Sequence, residues 1–359
     1  LVFSAHHIVQ RFADVHKHHI AHHSGGDGAL VVGGNRIADG VYGGPDSAAP
    51  NKLDCFSGTG VIRVGDVALR VIVAGATGSN PSPDQPSALT LRFGVLSDVH
   101  ITRRGNASDT YSYGSAQTFV HTLQYFKEQN VDAVVLAGDM ADRGLPENLQ
   151  VVADAWREVF PDDRAADGRP VERVFIYGNH DADKSWFENA SGQLAGKTDA
   201  EKAALIARSI SHNEADAWRT AWGEEWSPAY MKTIKGYRFI AAHWGHESQA
   251  VDLINEHCFD LAGSKPFFYV QHPQLTDGFY GKYAWNPAAG PTAALTAYPN
   301  AITFSGHIHY STSLEASIYQ KNFTSIGTAS LSYISKFEEG LNRGDSDTTR
   351  NGREALLVS

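Results

Sequence analysis

Cysteine is nearly absent from this chain: Cys55 and Cys258 are the only two in 359 residues. Two thiols so far apart exclude a disulfide scaffold and a thiolate metal knuckle. One bridge between them and two separate thiols both stay open. Long apolar runs are missing as well. No stretch reaches the about 18 residues needed to cross a bilayer, so no transmembrane segment is expected. Positive charge is scarce: 30 Lys and Arg stand against 40 Asp and Glu, a net charge of −10. Duplex nucleic acid, whose phosphates call for a basic surface, is therefore not an expected partner. With 42% hydrophobic and 19% charged residues, the chain is neither disordered nor a coiled coil.

Glycine, by contrast, is plentiful at 34 positions. The first ninety residues read differently from the rest. Ser4 could cap a helix running to Ala21, with Ile8, Phe12 and Val15 on one face. That segment is rich in histidine, from His6 to His23. A metal-binding tract is one reading; a solvated helix or tail is the other, favoured because no carboxylate or cysteine cluster accompanies it. Residues 25–60 are glycine-rich and expected to be irregular. Residues 61–75 alternate as strands do, with Gly65-Asp66 as a hairpin turn. The segment SNPSPDQP (79–86) reads as a linker. Two regions are therefore expected, an extension over 1–90 and a larger domain over 91–359.

From residue 91 a regular rhythm begins. Short apolar runs recur at 91–96, 132–137, 171–177, 237–242, 265–270 and 301–305. Helical patterns separate several of them, such as 115–129 with Phe119, Leu123 and Phe126 on one face. Strands alternating with helices predict an α/β fold with buried strands.

The residues after each run carry the chemistry. They are Asp98-Val99-His100, Gly138-Asp139-Met140-Ala141-Asp142-Arg143, Gly178-Asn179-His180-Asp181, His272-Pro273 and Gly306-His307-Ile308-His309. In open α/β sheets ligands bind beyond the carboxyl ends of the strands, so these groups are expected to converge. The donors are carboxylates, imidazoles and one amide, with no thiolate. That set suits Mn, Fe or Zn. The glycines before Asp139, Asn179 and His307 allow tight turns at the cluster. Any one motif could be an ordinary loop; all five in order, each after a strand, are not a coincidence.

This pattern resembles the calcineurin-like metallophosphoesterase superfamily, over about residues 91–335. The resemblance implies a four-layer α/β/β/α sandwich of two mixed β-sheets flanked by helices. It implies two divalent or trivalent ions, one held by Asp98, His100 and His309, the other by Asn179, His272 and His307, with Asp139 bridging. It casts His180 as the catalytic group at the phosphate, Asp181 beside it tuning its charge, and Asp142 and Arg143 as supports of the bridging turn. A small-molecule or lipid phosphoester is the implied substrate. Purple acid phosphatases carry Tyr where this chain has Asp142, so no tyrosinate-coloured iron site is expected. Asp181 after His180 resembles the phosphodiesterase and bacterial-type branches more than the protein phosphatases.

His243, Trp244 and Tyr310 are candidate pocket residues, with Trp186, Tyr280 and Trp285 as further flanking aromatics; for His243 a satisfied strand-end role is the alternative to lining the pocket. Three sequons, at Asn106, Asn189 and Asn322, the Leu1 start, the scarcity of cysteine and a resemblance of residues 298–334 to a secreted or envelope-associated subgroup together give an expectation of an extracellular or envelope location. A bridge between Cys55 and Cys258 would accompany it. Two other readings differ in class: a surface or structural protein that keeps the fold without turnover, its cleft covered by residues 1–90, and a nucleotidase-type enzyme with a further domain. The second is disfavoured because about fifty residues follow His309, unless the sequence is a fragment of a longer chain.

Overall fold

The computed structural model describes residues 91–102, 116–262, 265–278, 287–335 and 353–359, with short segments between 31 and 72. The chain divides into two units, Val2–Ser87 and Ala88–Ser359. In the first, strands β1 (Val31–Val32) and β2 (Asn35–Arg36) pair antiparallel. Strands β3 (Gly40–Gly43), β4 (Asn51–Lys52), β5 (Val61–Val64) and β6 (Arg70–Ile72) form a sheet of order β4-β3-β5-β6. The expectation of an irregular 25–60 is corrected here. Val31, Val32, Val41 and Tyr42, β-branched or aromatic, supply strand preference between the glycines. β5 and β6 are the antiparallel strands expected of 61–75. The Gly65-Asp66 turn, the histidine-rich segment and the 79–86 linker lie outside the described residues.

The second unit is built on two sheets. One has the order β16-β7-β8-β9, with β7 (Phe93–Leu96), β8 (Ala133–Ala137) and β9 (Glu172–Ile176) parallel and β16 (Leu356–Val358) antiparallel at one edge. The other has the order β10-β11-β12-β13-β15-β14. Its strands are β10 (Ala229–Ile234), β11 (Tyr237–Ala242), β12 (Phe267–Val270), β13 (Ala301–Ser305), β14 (Ile318–Gln320) and β15 (Thr324–Gly327). Its centre, β11-β12-β13-β15, is parallel, and β10 and β14 flank it antiparallel. The helices are α1 (Ala116–Glu128), α2 (Pro146–Val159), α3 (Asn179–Ala182), α4 (Asp199–Arg208), α5 (Glu214–Trp222), α6 (Glu247–Glu256), α7 (Cys258–Leu261) and α8 (Ala289–Leu295).

Alternation along the strands assigns each sheet face a layer. Phe93 points between the sheets, where its ring meets Phe239, Phe268 and Phe304 at centroid distances of 5.2, 4.8 and 5.9 Å. Leu96, Val134, Leu136 and Phe175 point the other way, into a core with Phe119, Leu123 and Phe126 of α1, Val152 and Trp156 of α2 and Trp218 of α5. On the second sheet, Ile240 and Tyr269 pack with Ile254 of α6, Leu261 of α7 and Leu295 of α8. Both faces of each sheet are covered, which is why the strands read as continuous apolar runs. The result is the expected four-layer sandwich of two mixed sheets.

Cys258 is a free cysteine, so the bridge to Cys55 is corrected. Its thiol packs against the second core as a small apolar group. Cys55 lies outside the described residues.

Candidate metal centre

The chain turns sharply where each central strand ends. The turns after β7 and β8 run side by side, Asp98 N–H donating to the Gly138 carbonyl at 3.0 Å and His100 N–H to that of Asp139 at 3.0 Å. The second sheet joins at the same edge, because Trp244 N–H, after β11, donates to the Tyr177 carbonyl, after β9, at 3.1 Å. Asp98, His100, Asp139, His307 and His309 all adopt positive φ, between 51° and 73°. The left-handed region costs a non-glycine residue on the order of 1 kcal/mol or more, and such strain gathers at functional sites. Close approach explains two glycines. A Cβ on Gly178 would run into the Asp139 carboxylate and backbone, and one on Gly306 would lie 2.5 Å from Asp98 Oδ2.

The turns converge. Asp98, His100, Asp139 and His309 present nitrogen and oxygen atoms that all lie within 4.8 Å of one another, and so do Asp139, His272 and His307. Asp139 belongs to both groups. His309 Nε2 lies 2.9 Å from Asp98 Oδ1, and His272 Nε2 lies 3.1 Å from both Asp139 Oδ2 and Asn179 Oδ1. His100 Nε2 is 3.6 Å from Asp139 Oδ2 and 3.2 Å from His309 Nε2.

The backs of these side chains are held. His272 Nδ1 donates to the Ala137 carbonyl at 2.7 Å, which turns Nε2 toward the cluster as the nitrogen that would bind a metal ion on losing its proton. His100 Nδ1 bonds Asp142 Oδ1 at 3.1 Å, with the same effect. Arg143 Nε pairs with Asp142 Oδ2 at 2.8 Å. Ser97 Oγ donates to Asp98 Oδ2, and Ser330 Oγ to the Asp98 carbonyl at 3.2 Å.

Burial works to raise the Asp98 carboxyl, but the charge of His309 and hydrogen bonds from His100 and His309 hold it well below the usual range. Asp139 behaves likewise: burial is outweighed by His272 and His180. Against its own burial, His272 is pushed up to about 9 by Asp139 and Asp98. His307 is pushed down to about 3 by burial and by His272. Two buried carboxylates thus demand positive charge from the imidazoles around them. Buried anions need such compensation, and cations held among the same lone pairs would supply it. The donor set fits two metal ions.

His180 stands at the rim, 26% exposed at the side chain. Its Nδ1 lies 3.1 Å from the Asp142 carbonyl and 3.4 Å from Asp142 Oδ1. Its ring packs on Trp186 at 4.1 Å and edge-on to His100 at 4.5 Å. Asp181 departs from expectation. Its carboxylate turns to the backbone, accepting from Ala141 N at 2.6 Å, Gly178 N at 2.8 Å and Met140 N at 3.1 Å. Burial and the nearby Asp139 push it up to about 7 against those bonds. Asp181 holds the β8 and β9 turns together rather than tuning His180.

The candidate pocket residues divide. Trp244 is half-buried beside the second group, its ring 5.5 Å from that of His307. His243 takes the satisfied strand-end role: 1% exposed, it accepts from Tyr177 N–H at 3.0 Å through Nδ1 and packs among Tyr177, Trp218 and Trp226. Tyr310 is also corrected, buried with Ile308 in a small apolar cluster. Tyr280 and Trp285 lie outside the described residues. Sequence reading passed over Tyr333, whose ring lies 4.2 Å from that of His309, and the small polar run Thr328-Ala329-Ser330 that cradles the Asp98 turn.

Comparison with known proteins now meets this geometry. The sequence profile of the calcineurin-like phosphoesterase family matches residues 91–311, more than half of the chain. The chain belongs to that family. No curated protein matches it. Among solved structures it is similar to a purple acid phosphatase from yellow lupin (Lupinus luteus), at 13% identity and TM-score 0.43, over 75% of this chain and 53% of that one. It is also similar to a dimetal phosphatase from Danio rerio, at 14% identity and TM-score 0.32, over 67% and 88%. A third is GAP50, the anchor in the inner membrane complex of Plasmodium, at 14% identity and TM-score 0.36, over 75% and 81%.

Proposed function

We propose that this chain hydrolyses phosphate esters with two metal ions. Asp98, His100 and His309 hold one, Asn179, His272 and His307 the other, and Asp139 is shared. The observation that carries this is the convergence of the Asp and His donors from separate strand ends, with Asp139 common to both groups and Asn179 Oδ1 3.1 Å from His272 Nε2. When bound, such ions would lower the pKa of a coordinated water and offset phosphoryl charge. The chain's own residues do the rest. Asp139 offers two carboxylate oxygens, so one side chain serves both sites. Asn179 is a neutral donor and adds no negative charge to the second. His180, braced at Nδ1 by Asp142 and along its ring by Trp186, keeps Nε2 for the departing alkoxide as general acid.

Metal-reconstituted protein should contain two ions per chain by elemental analysis and turn over p-nitrophenyl phosphate or its bis-ester. One ion or none, with neither ester hydrolysed, overturns the proposal. Asp139→Asn should lower occupancy at both sites, and His309→Ala mainly at one. A location outside the cytoplasm is part of the same proposal. The sequon residues Asn189 and Asn322 are both exposed, which supports it. The reading without turnover rested on residues 1–90, most of which lie outside the described residues. Among the described residues no helix is long and apolar enough to cross a membrane.

A further inference from the structure

Beside the metal centre, past the carboxyl end of α3, opens a cleft of about 470 Å³ whose lining includes Asp183, Lys184, His212, Glu214, Trp244 and His246. Trp244 is the hinge between the two regions. Its ring lies 5.5 Å from His307 and 6.0 Å from His272, while its Nε1 donates to Asp183 Oδ2 at 3.0 Å. A group attached to a phosphoryl centre at the metals would therefore meet the indole first and the polar wall next. The size suits a small organic group.

The wall selects by chemistry. Glu214 Oε2 pairs with His246 Nε2 at 3.0 Å, and His212 Nε2 with Glu188 at 3.3 Å, so carboxylates and imidazoles are already oriented. An alkyl chain seated there would strip water from these groups and return no hydrogen bonds. An anionic group would face Asp183 and Glu214, with Lys184 in compensation and the His212 and His246 rings already turned to Glu188 and Glu214. A cationic group would find a single aromatic ring and would share the cleft with Lys184, while the lone pairs that Glu214 keeps beside its bond to His246 still accept a hydroxyl hydrogen. Hydroxyl groups donate to carboxylates and imidazoles, and an indole face accepts the C–H side of a polyol or sugar.

We propose that this cleft binds the alcohol portion of the phosphoester and favours a hydroxyl-bearing, polyol- or sugar-like group, with Glu214 as an acceptor and Trp244 as the platform. The inference rests on the phosphoesterase reading for the placement of the phosphoryl group, and its test is kept separate from turnover. Calorimetric titration of the metal-reconstituted full chain compares three non-hydrolysable phosphonates: 3,4-dihydroxybutyl, butyl and 3-(trimethylammonio)propyl. The dihydroxybutyl compound should bind about tenfold more tightly than the butyl one, the worth of a hydrogen bond to a charged acceptor. Glu214→Gln, which keeps the size and removes the charge, should reduce that preference to about twofold. Equal binding of the first two, tighter binding of the cationic compound, or a preference untouched by Glu214→Gln overturns the cleft assignment. Turnover of p-nitrophenyl phosphate reports on the other reading. A protein that hydrolyses it without hydroxyl preference refutes the cleft alone, and one that shows the preference without hydrolysing any ester refutes the phosphoesterase reading alone.

Discussion

His180 and Asp181 stand next to each other in sequence and do opposite work. The His180 ring lies at the rim with a braced Nδ1, while the Asp181 carboxylate is spent on three backbone amides. His180→Ala should therefore keep both metals and the fold while kcat falls by about 10²–10⁴ for esters of poor leaving groups. The loss should shrink for aryl phosphates, whose leaving groups need little protonation. Steady-state kinetics on both ester types, with elemental analysis, check it; an equal loss on both removes the general-acid role. His243 makes a different prediction. Burial, followed by the charge of His246, pushes it down to about 3, against about 6.5 in an unfolded chain. Between those values the unfolded chain takes up a proton that the native one refuses. The stability is fully present above pH about 6.5 and is lost as pH falls, by on the order of 1 kcal/mol per unit. Denaturant unfolding at pH 7 and pH 5 should show this loss, and a flatter slope in His243→Gln, which retains an acceptor for Tyr177 N–H.

At the scale of elements, the short turns that end the strands carry the site, and their strain is offset by cross-bonding. Asp181 ties the Gly178 turn to Met140 and Ala141, and Asp139 Oδ1 accepts from His180 N at 2.8 Å in return. The two turns are one unit. Gly178→Ala would place a methyl group against the Asp139 carboxylate. It should cost about 1–3 kcal/mol by overpacking and displace the shared ligand. Metal content should fall at both sites together, read by elemental analysis beside a thermal melt. Intact occupancy with lowered stability would mean that the turn yields without moving Asp139.

At the scale of the whole molecule, the two sheets are joined by aromatic rings at their faces and by polar bonds at one edge. Phe93 stands at the centre of the facing contact, fully buried against three phenylalanines of the other sheet. Phe93→Ala should cost about 3–5 kcal/mol. Because the metal groups draw ligands from both sheets, looser packing should weaken metal retention as well. Phe259, 94% exposed, is the internal control, and Phe259→Ser should change stability by less than about 0.5 kcal/mol. Chemical denaturation of both variants, with metal content measured after dialysis, checks the pair.

The sequence by itself determined the order of the central strands along the chain, the helix 115–129 with its buried Phe119, Leu123 and Phe126, and the chemistry waiting after each strand. These are local properties: apolar runs, helical spacing and glycines at tight turns state their meaning within a few residues. Tertiary structure decided the rest. The donor residues could be named from their motifs, but their meeting in two groups that share Asp139 depends on which strands lie side by side, and pairing is non-local. Asp181 read as a partner of His180 because the two are adjacent; the turn sends its carboxylate to amides more than thirty-five residues earlier in the chain. His243 left two readings open, pocket lining or a satisfied strand end, because it follows a strand beside Trp244; only the packing of Tyr177, Trp218 and Trp226 and the Tyr177 N–H bond decide for the second. Tyr333 and Ser330 escaped notice for the converse reason. Nothing in their own neighbourhood marks them, and they reach the site only because β15 pairs with β13 and returns the chain to the Asp98 turn.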